Sequence, residues 1–97
     1  MIVGVCRLQL HLPGKTSLKA KRQVVKSILQ RLTNEFGIAA AEVEEQDRWQ
    51  IAVIGLACVS NATAHANEIL SNAMNYVQRT RPDVELIDYE LEFLDVF

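Results

Sequence analysis

The stretch from residue 38 to residue 60, IAAAEVEEQDRWQIAVIGLACVS, decides the fold of this chain. Its first and last thirds are mostly apolar, and the polar residues 46–48 separate them. This pattern predicts two strands, over residues 38–45 and 49–59, joined by a short turn as a β-hairpin. Because the second of these strands is apolar at almost every position, we expect it to lie in the middle of a covered sheet.

An amphipathic helix is predicted on each side of this hairpin. The first begins after Ser17, a typical N-cap residue, and runs to Phe36, with Gly37 in the position that commonly follows a helix. Its apolar side chains recur at close to the 3.6-residue period of a helix. The second helix is expected to begin at Ser60 or Asn61 and to run to about Arg79, before Pro82 interrupts the pattern.

The two ends of the chain are predicted to form the remaining strands. Residues 2–12 alternate apolar and polar from Cys6 onward, and Pro13 with Gly14 ends the strand. Residues 84–96 alternate more strictly, which is typical of a strand with one buried side. We expect one side of it to carry apolar side chains and the other side to carry acids: Ile87, Tyr89, Leu91 and Phe93 against Asp88, Glu90 and Glu92.

The predicted order of elements is therefore β-α-β-β-α-β. Right-handed crossover connections on both sides of a central hairpin give a four-stranded antiparallel sheet with spatial order 4-1-3-2. Both helices then cover the same face of the sheet. We conclude that residues 1–97 form a single α+β domain of the ferredoxin-like type.

Composition narrows the class of protein further. The chain has 97 residues, 49% of them hydrophobic, and a formal net charge of −2, which is ordinary for a globular domain. No signal peptide is recognisable after Met1, and no apolar stretch is long enough to span a bilayer. We therefore expect a cytoplasmic protein with no membrane contact, in which Cys6 and Cys58 are buried free thiols.

Charged residues are sorted along the chain. Residues 13–34 contain six basic residues and no acidic one, whereas residues 83–95 contain six acidic residues and no basic one. Four of the six cations lie in or just before the first turns of the first helix, where they oppose the helix dipole. Free main-chain N–H groups, the positive end of the dipole and these cations together favour a bound anion.

The predicted topology brings the start of the first helix, the tip of the hairpin and the end of the second helix together. This end of the sandwich would hold an excess of three positive charges, with cations Lys15, Lys19, Lys21, Arg22, Arg48, Arg79 and Arg81 against acids Glu44, Glu45, Asp47 and Asp83. One interpretation is a surface that binds phosphate groups, with Trp49 as a platform for stacking; its candidate residues are Lys15, Lys19, Lys21, Arg22, Arg48 and Trp49.

The other interpretation of this end is structural. Lys21 and Arg22 fall at the borders of the apolar stripe of the first helix, so both lean toward the sheet and need partners. Internal salt bridges to the hairpin acids Glu44, Glu45 and Asp47 would supply them. The sequence leaves both interpretations open.

Other chemistries find little support. The stretch Gly14-Lys15-Thr16-Ser17 lacks the earlier glycine of a Walker A loop, since position 9 is glutamine. His11 and His65 lie on different elements, which argues against a metal site. Burial of both cysteines argues against a thiolate nucleophile. We predict no catalytic residue, no metal and no cofactor.

Two segments resemble the YlxP-like family of small bacterial proteins: Ser17-Leu18-Lys19-Ala20-Lys21-Arg22 and Gln46-Asp47-Arg48-Trp49-Gln50, followed by Gly55 and Val59-Ser60. The resemblance covers essentially the whole chain and implies a ferredoxin-like fold. It brings no catalytic role. Genes of this family often lie beside genes for translation initiation and ribosome maturation factors, which implies an association with RNA or ribosomes. At Ala20 the family usually has glutamate, so this helix start is more basic.

Two functions follow as hypotheses. The first is an accessory module that binds structured RNA or a ribosomal particle through the basic end. RNA is not expected on the exposed sheet face, because we expect Glu42, Glu44, Asp88, Glu90 and Glu92 there. The second is a homodimeric structural or ligand-binding module that associates through its sheet, where Ala52, Ile54 and Leu56 would form an uncovered apolar patch.

Overall fold

The elements follow one another in the predicted order. A computed structural model describes all residues from Met1 to Phe97. It contains four strands and two helices: β1 (Ile2–His11), α1 (Leu18–Phe36), β2 (Ala39–Glu44), β3 (Ile51–Ser60), α2 (Thr63–Thr80) and β4 (Glu85–Asp95). No helix is both long and apolar enough to cross a membrane.

The four strands form one antiparallel sheet in the order β2-β3-β1-β4. This is the predicted order 4-1-3-2 counted from the other edge, so the α+β ferredoxin-like fold is confirmed. α1 packs mainly on β2, and α2 packs on β1, β3 and β4. The helices cover one face of the sheet, and we call the uncovered face the open face.

The core lies between the sheet and the helices. On the two central strands, Leu8 is opposite Ile54, Leu10 is opposite Ala52, and Cys6 is opposite Leu56. All of these side chains are buried in a single apolar cluster with the helices. The prediction of an uncovered patch at Ala52, Ile54 and Leu56 is therefore wrong, because these residues point toward the helices and are at most 2% exposed.

The ends of α1 are those predicted from its sequence. The Ala20 main-chain N–H donates to Ser17 Oγ at 3.1 Å. At the other end, Gly37 adopts φ 62°, and its N–H donates to Thr33 O at 3.0 Å. The start of α2 differs from the prediction, since Ala62 occupies its N-cap position and the Ser60 hydroxyl accepts the N–H of Ala62 instead.

Irregularities in both edge strands change which residues face the core. In β4 the register shifts, so that Leu86 is opposite Leu10 and Ile87 is 52% exposed. The expectation that Ile87 shares the buried side of β4 is wrong for this reason. In β2 the pairing is regular up to Glu42, which lies on the helix side opposite Ile54; the register shift at Val43 then places Glu44 on the open face, opposite Val53.

Candidate nucleic-acid interface

Lys21 is the most deeply buried charged residue of the chain. Its side chain is 0% exposed, and its Nζ lies 2.9 Å from Glu42 Oε2, whose side chain is 16% exposed. The same ammonium donates to the main-chain oxygen of Glu45 at 2.5 Å. Lys21 therefore does not reach solvent, and the prediction that it belongs to an anion-binding surface is wrong.

The partner of Lys21 also differs from the predicted one. We expected Glu44, Glu45 or Asp47 side chains, and we placed Glu42 on the exposed sheet face. Regular pairing of β2 as far as Glu42 instead places Glu42 on the face that α1 covers, and the irregularity at Val43 turns only Glu44 to the open face. Glu45 takes part through its carbonyl group, which a left-handed backbone conformation with φ 60° presents to the ammonium. Lys21 thus fastens the first turn of α1 to the hairpin.

Two further hydrogen bonds hold the start of α1 beside the hairpin. The Gln50 side-chain amide donates to the main-chain oxygen of Lys15 at 3.3 Å. The Leu12 N–H donates to Gln50 O at 2.8 Å. The segments around Lys15 and Trp49 are consequently neighbours, as the topology predicts.

Two other cations that the sequence predicts at this end are paired with acids. Arg48 lies 3.4 Å from Glu45 Oε2, in an exposed contact, and Arg81 lies 2.6 Å from Asp83 Oδ2. Arg81 also lies in a cleft with Ile28 and Arg31, near the middle of α1. The second helix thus brings Arg81 to the middle of α1 and not to its start.

A group of cations on α1 remains without any carboxylate partner. Lys19, Arg22 and Lys26 are exposed, and their spacing of three and four residues places them on one side of the helix. Lys15 precedes them in the connection from β1 and is half-buried. None of the ion pairs in the structure includes any of them. We call these four residues, Lys15, Lys19, Arg22 and Lys26, the α1 cation stripe.

An open depression lies beside the tip of the hairpin. It has a volume of about 430 Å³ and is lined by His11, Asp47, Arg48, Trp49, Gln50 and Ile51. Trp49 is 51% exposed, so part of its ring is available for stacking. Asp47 forms no ion pair, whereas the Nδ1 atom of His11 lies 3.3 Å from Glu85 Oε2.

Arg7 is the charged residue of the open face that sequence reasoning missed. Its Nε lies 3.0 Å from Glu44 Oε1 and its Nη1 lies 2.7 Å from Glu90 Oε1, so it bridges the two edge strands. Gly55 is opposite Arg7 on β3 and has no side chain to obstruct this crossing. The alternation in β1 placed Arg7 on this face, but only the register of all four strands identifies its partners.

The thiols contribute no reactive group. Burial raises the pKa of the Cys6 thiol to about 11. The Cys6 Sγ lies 3.8 Å from Met74 Sδ, and Cys58 Sγ lies 3.8 Å from Ala66 O. Both cysteines are buried and free, as predicted.

Comparison with known proteins settles the family. Residues 3–91 match the model of a protein family described as "Protein of unknown function (DUF503)". The chain belongs to this DUF503 family. It is also 30% identical over 84 residues to "Uncharacterized protein YlxP" of Bacillus subtilis (strain 168), across 87% of this chain and 90% of that protein. The resemblance to the YlxP-like family is therefore confirmed.

A comparison of structures bears on the fold of this DUF503 member. The VAO-type flavoprotein MtVAO713 from Myceliophthora thermophila C1 superposes with a TM-score of 0.55 and 16% sequence identity. The match covers 96% of this chain but only 18% of the flavoprotein. This likeness shows a shared chain topology and nothing more.

Proposed function

We propose that this DUF503 protein is a cytoplasmic binding module that contacts the phosphate groups of structured RNA through the α1 cation stripe. The observation that carries the proposal is that four cations, Lys15, Lys19, Arg22 and Lys26, lie together without any carboxylate partner. Lys19 lies in the first turn of α1, where an unpaired cation destabilises a helix by about 0.3–1 kcal/mol, so a bound anion would offset a cost already present in the fold.

The position of Trp49 adds to this proposal. Its side chain is half-exposed, and the next residue, Gln50, donates a hydrogen bond to the main-chain oxygen of Lys15. An unpaired base can stack on an exposed aromatic ring while neighbouring cations hold the phosphate groups. A stem–loop or bulged RNA combines both features. The partner class that fits best is therefore a folded RNA, such as that of a ribosomal particle.

The proposal predicts binding that weakens steeply as salt increases, because each phosphate contact releases counterions. We would titrate a fluorescein-labelled RNA stem–loop by anisotropy at several KCl concentrations. The variant Lys19→Gln/Arg22→Gln is expected to bind about tenfold more weakly. The slope of log affinity against log salt should fall by about two, one for each lost phosphate contact.

A matched control is the variant Arg31→Gln/Arg79→Gln. Arg31 and Arg79 are exposed helix cations outside the stripe, and neither forms an ion pair with an acid. Arg79, which the sequence predicts at the basic end, instead lies over the ring of Tyr76, which shares a cleft with Ile28 and Arg31. This variant removes the same net charge and should bind RNA within about twofold of the wild type. Equal losses in the two variants, or no RNA binding by the wild type at low salt, would contradict the proposal.

Homodimerisation through the sheet is the second candidate function. The open face carries an apolar row at one end, where Val3 is opposite both Val59 and Leu94. Val59 is 65% exposed and Leu94 is 44% exposed. A second copy could cover this row. Light scattering tests this function directly, since a strict monomer at high concentration excludes it.

A further inference from the structure

We propose that β4 is a docking edge for an extended, basic polypeptide segment of another protein, which would add a fifth strand to the sheet. The proposal does not depend on RNA binding by α1. It concerns residues 88–95, which pair in regular register with β1 and which we call the β4 edge. The partner segment is expected to alternate basic and apolar residues.

The first argument is the free edge itself. β4 is eleven residues long and pairs with β1 alone. The outer main-chain N–H and C=O groups of an edge strand are available for pairing with an added strand. β2, the other edge, has only six residues and an irregular register at Val43. β4 has a register shift of its own at Ile87, but its pairing is regular from Asp88 to Asp95, which gives a longer regular template than β2.

The second argument is the chemistry of the two sides of this strand. On the helix side, Tyr89 is 52% exposed, and Leu91 and Phe93 are only partly buried. On the open face, Asp88, Glu90 and Glu92 are all exposed. An added strand would place its alternate side chains beside these two rows. An added strand with apolar side chains on the helix side and basic side chains on the open face would complement both rows.

The ion pairs already present leave a negative surplus along this edge. Glu90 shares Arg7 with Glu44, while Asp88 and Glu92 have no cationic partner. The Asp88 carboxylate accepts the N–H of Tyr89 at 2.8 Å, so the outer main-chain N–H groups open to an added strand are those beyond Tyr89. Lysine or arginine side chains of a partner would neutralise Glu92 and would give Glu90 a cation that it does not share with Glu44.

The same charges argue against a second copy of this chain at the β4 edge. Two β4 strands paired antiparallel would bring carboxylates directly opposite carboxylates, which destabilises a sheet. A β2 strand would bring Glu42 and Glu44 to the acidic edge and would be no better. Neither edge of this chain carries the lysines that the β4 edge requires, so the occupant is a different protein.

Titration of the isotope-labelled protein, followed by NMR, tests the proposal. The probe is an acetylated and amidated peptide of alternating lysine and valine. The control peptide has the same composition, but its lysines and valines form two separate blocks. We expect the alternating peptide to bind about tenfold more tightly, because only it can place valines and lysines on opposite sides of a strand. Amide shifts and slowed hydrogen exchange should concentrate in β4.

The variant Asp88→Asn/Glu92→Gln keeps the shapes of the side chains and removes two carboxylates. It should weaken binding of the alternating peptide about tenfold, whereas Glu35→Gln/Glu68→Gln, exposed acids on the helices, should leave it unchanged. Equal binding of the two peptides would show general charge attraction only and would overturn the proposal. Shifts confined to other elements, or self-association through β4 without peptide, would overturn it as well.

Discussion

At the scale of single residues, the buried pair of Lys21 and Glu42 explains why α1 and the hairpin form one unit. Removal of one partner from a buried ion pair leaves the other charge uncompensated, at a cost of about 3–5 kcal/mol. We expect Lys21→Met to lower the free energy of unfolding by about this amount. The double variant Lys21→Met/Glu42→Leu should recover most of the loss, because it leaves no buried charge.

Urea unfolding of the two single variants and the double variant measures this coupling. Arg7→Met is a matched control, since Arg7 is ion-paired like Lys21, with Glu44 and Glu90, but its side chain is 43% exposed. Its loss should stay near or below 1 kcal/mol. If the double variant were as unstable as Lys21→Met alone, the loss would come from changed packing at position 21 and not from a charge left without its partner.

The residue scale also shows the limit of sequence reasoning about this site. The helical period places Lys21 at the border of the apolar stripe, and from that position burial with a salt bridge is one of two predicted outcomes. Glu42 is not predicted as its partner because the irregular register at Val43 puts Glu42 and Glu44 on opposite faces, whereas alternation predicts that they share one. Such an irregularity leaves no periodic signal, because one residue is added without a change in hydrophobicity.

At the scale of elements, the order, type and approximate limits of all six follow from periodicity and turn residues. Ser17 marks the start of α1 because its hydroxyl accepts a main-chain N–H of the first turn, and Gly37 marks the end because it adopts the left-handed conformation that glycine favours. The start of α2 was less predictable, since Ala62 gives no side-chain signal as an N-cap. Ile87 was misassigned because strict alternation was extended through a register shift.

The packing of α2 on β1 depends on a glycine that periodicity does not explain. A Cβ atom at Gly4 would lie 3.1 Å from Leu70 Cδ1, 3.2 Å from Ala66 Cβ and 3.3 Å from Cys58 Sγ. We therefore expect Gly4→Ala to lower the free energy of unfolding by about 1–3 kcal/mol through overpacking. Thermal and urea unfolding measure this loss.

A compensating change at Ala66 separates overpacking from other causes. Ala66 is fully buried, and its Cβ is one of the atoms that the new methyl group would crowd. In the Gly4→Ala background, Ala66→Gly should cost less than it does in the wild type, because it makes room for the new group. Additive losses in the double variant would show that helix and strand move apart freely instead.

At the scale of the whole molecule, the two proposed surfaces lie on different parts of the fold. α1 packs mainly on β2, and β4 forms the opposite edge of the sheet. Three strand spacings, about 14 Å, separate the two edges. This distance exceeds the screening length of about 8 Å at physiological ionic strength. A small net charge therefore conceals one basic surface and one acidic surface that can act separately.

This separation predicts that the two surfaces bind independently. The variant Asp88→Asn/Glu92→Gln, which alters the β4 edge, should bind the RNA stem–loop within about twofold of the wild type at 0.15 M salt. At much lower salt its RNA affinity should rise above that of the wild type, because screening is weaker and two repelling carboxylates are gone. Anisotropy titrations at both salt concentrations test this. A large effect at 0.15 M salt would mean that RNA contacts β4 directly and that the acidic face belongs to the same interface as α1.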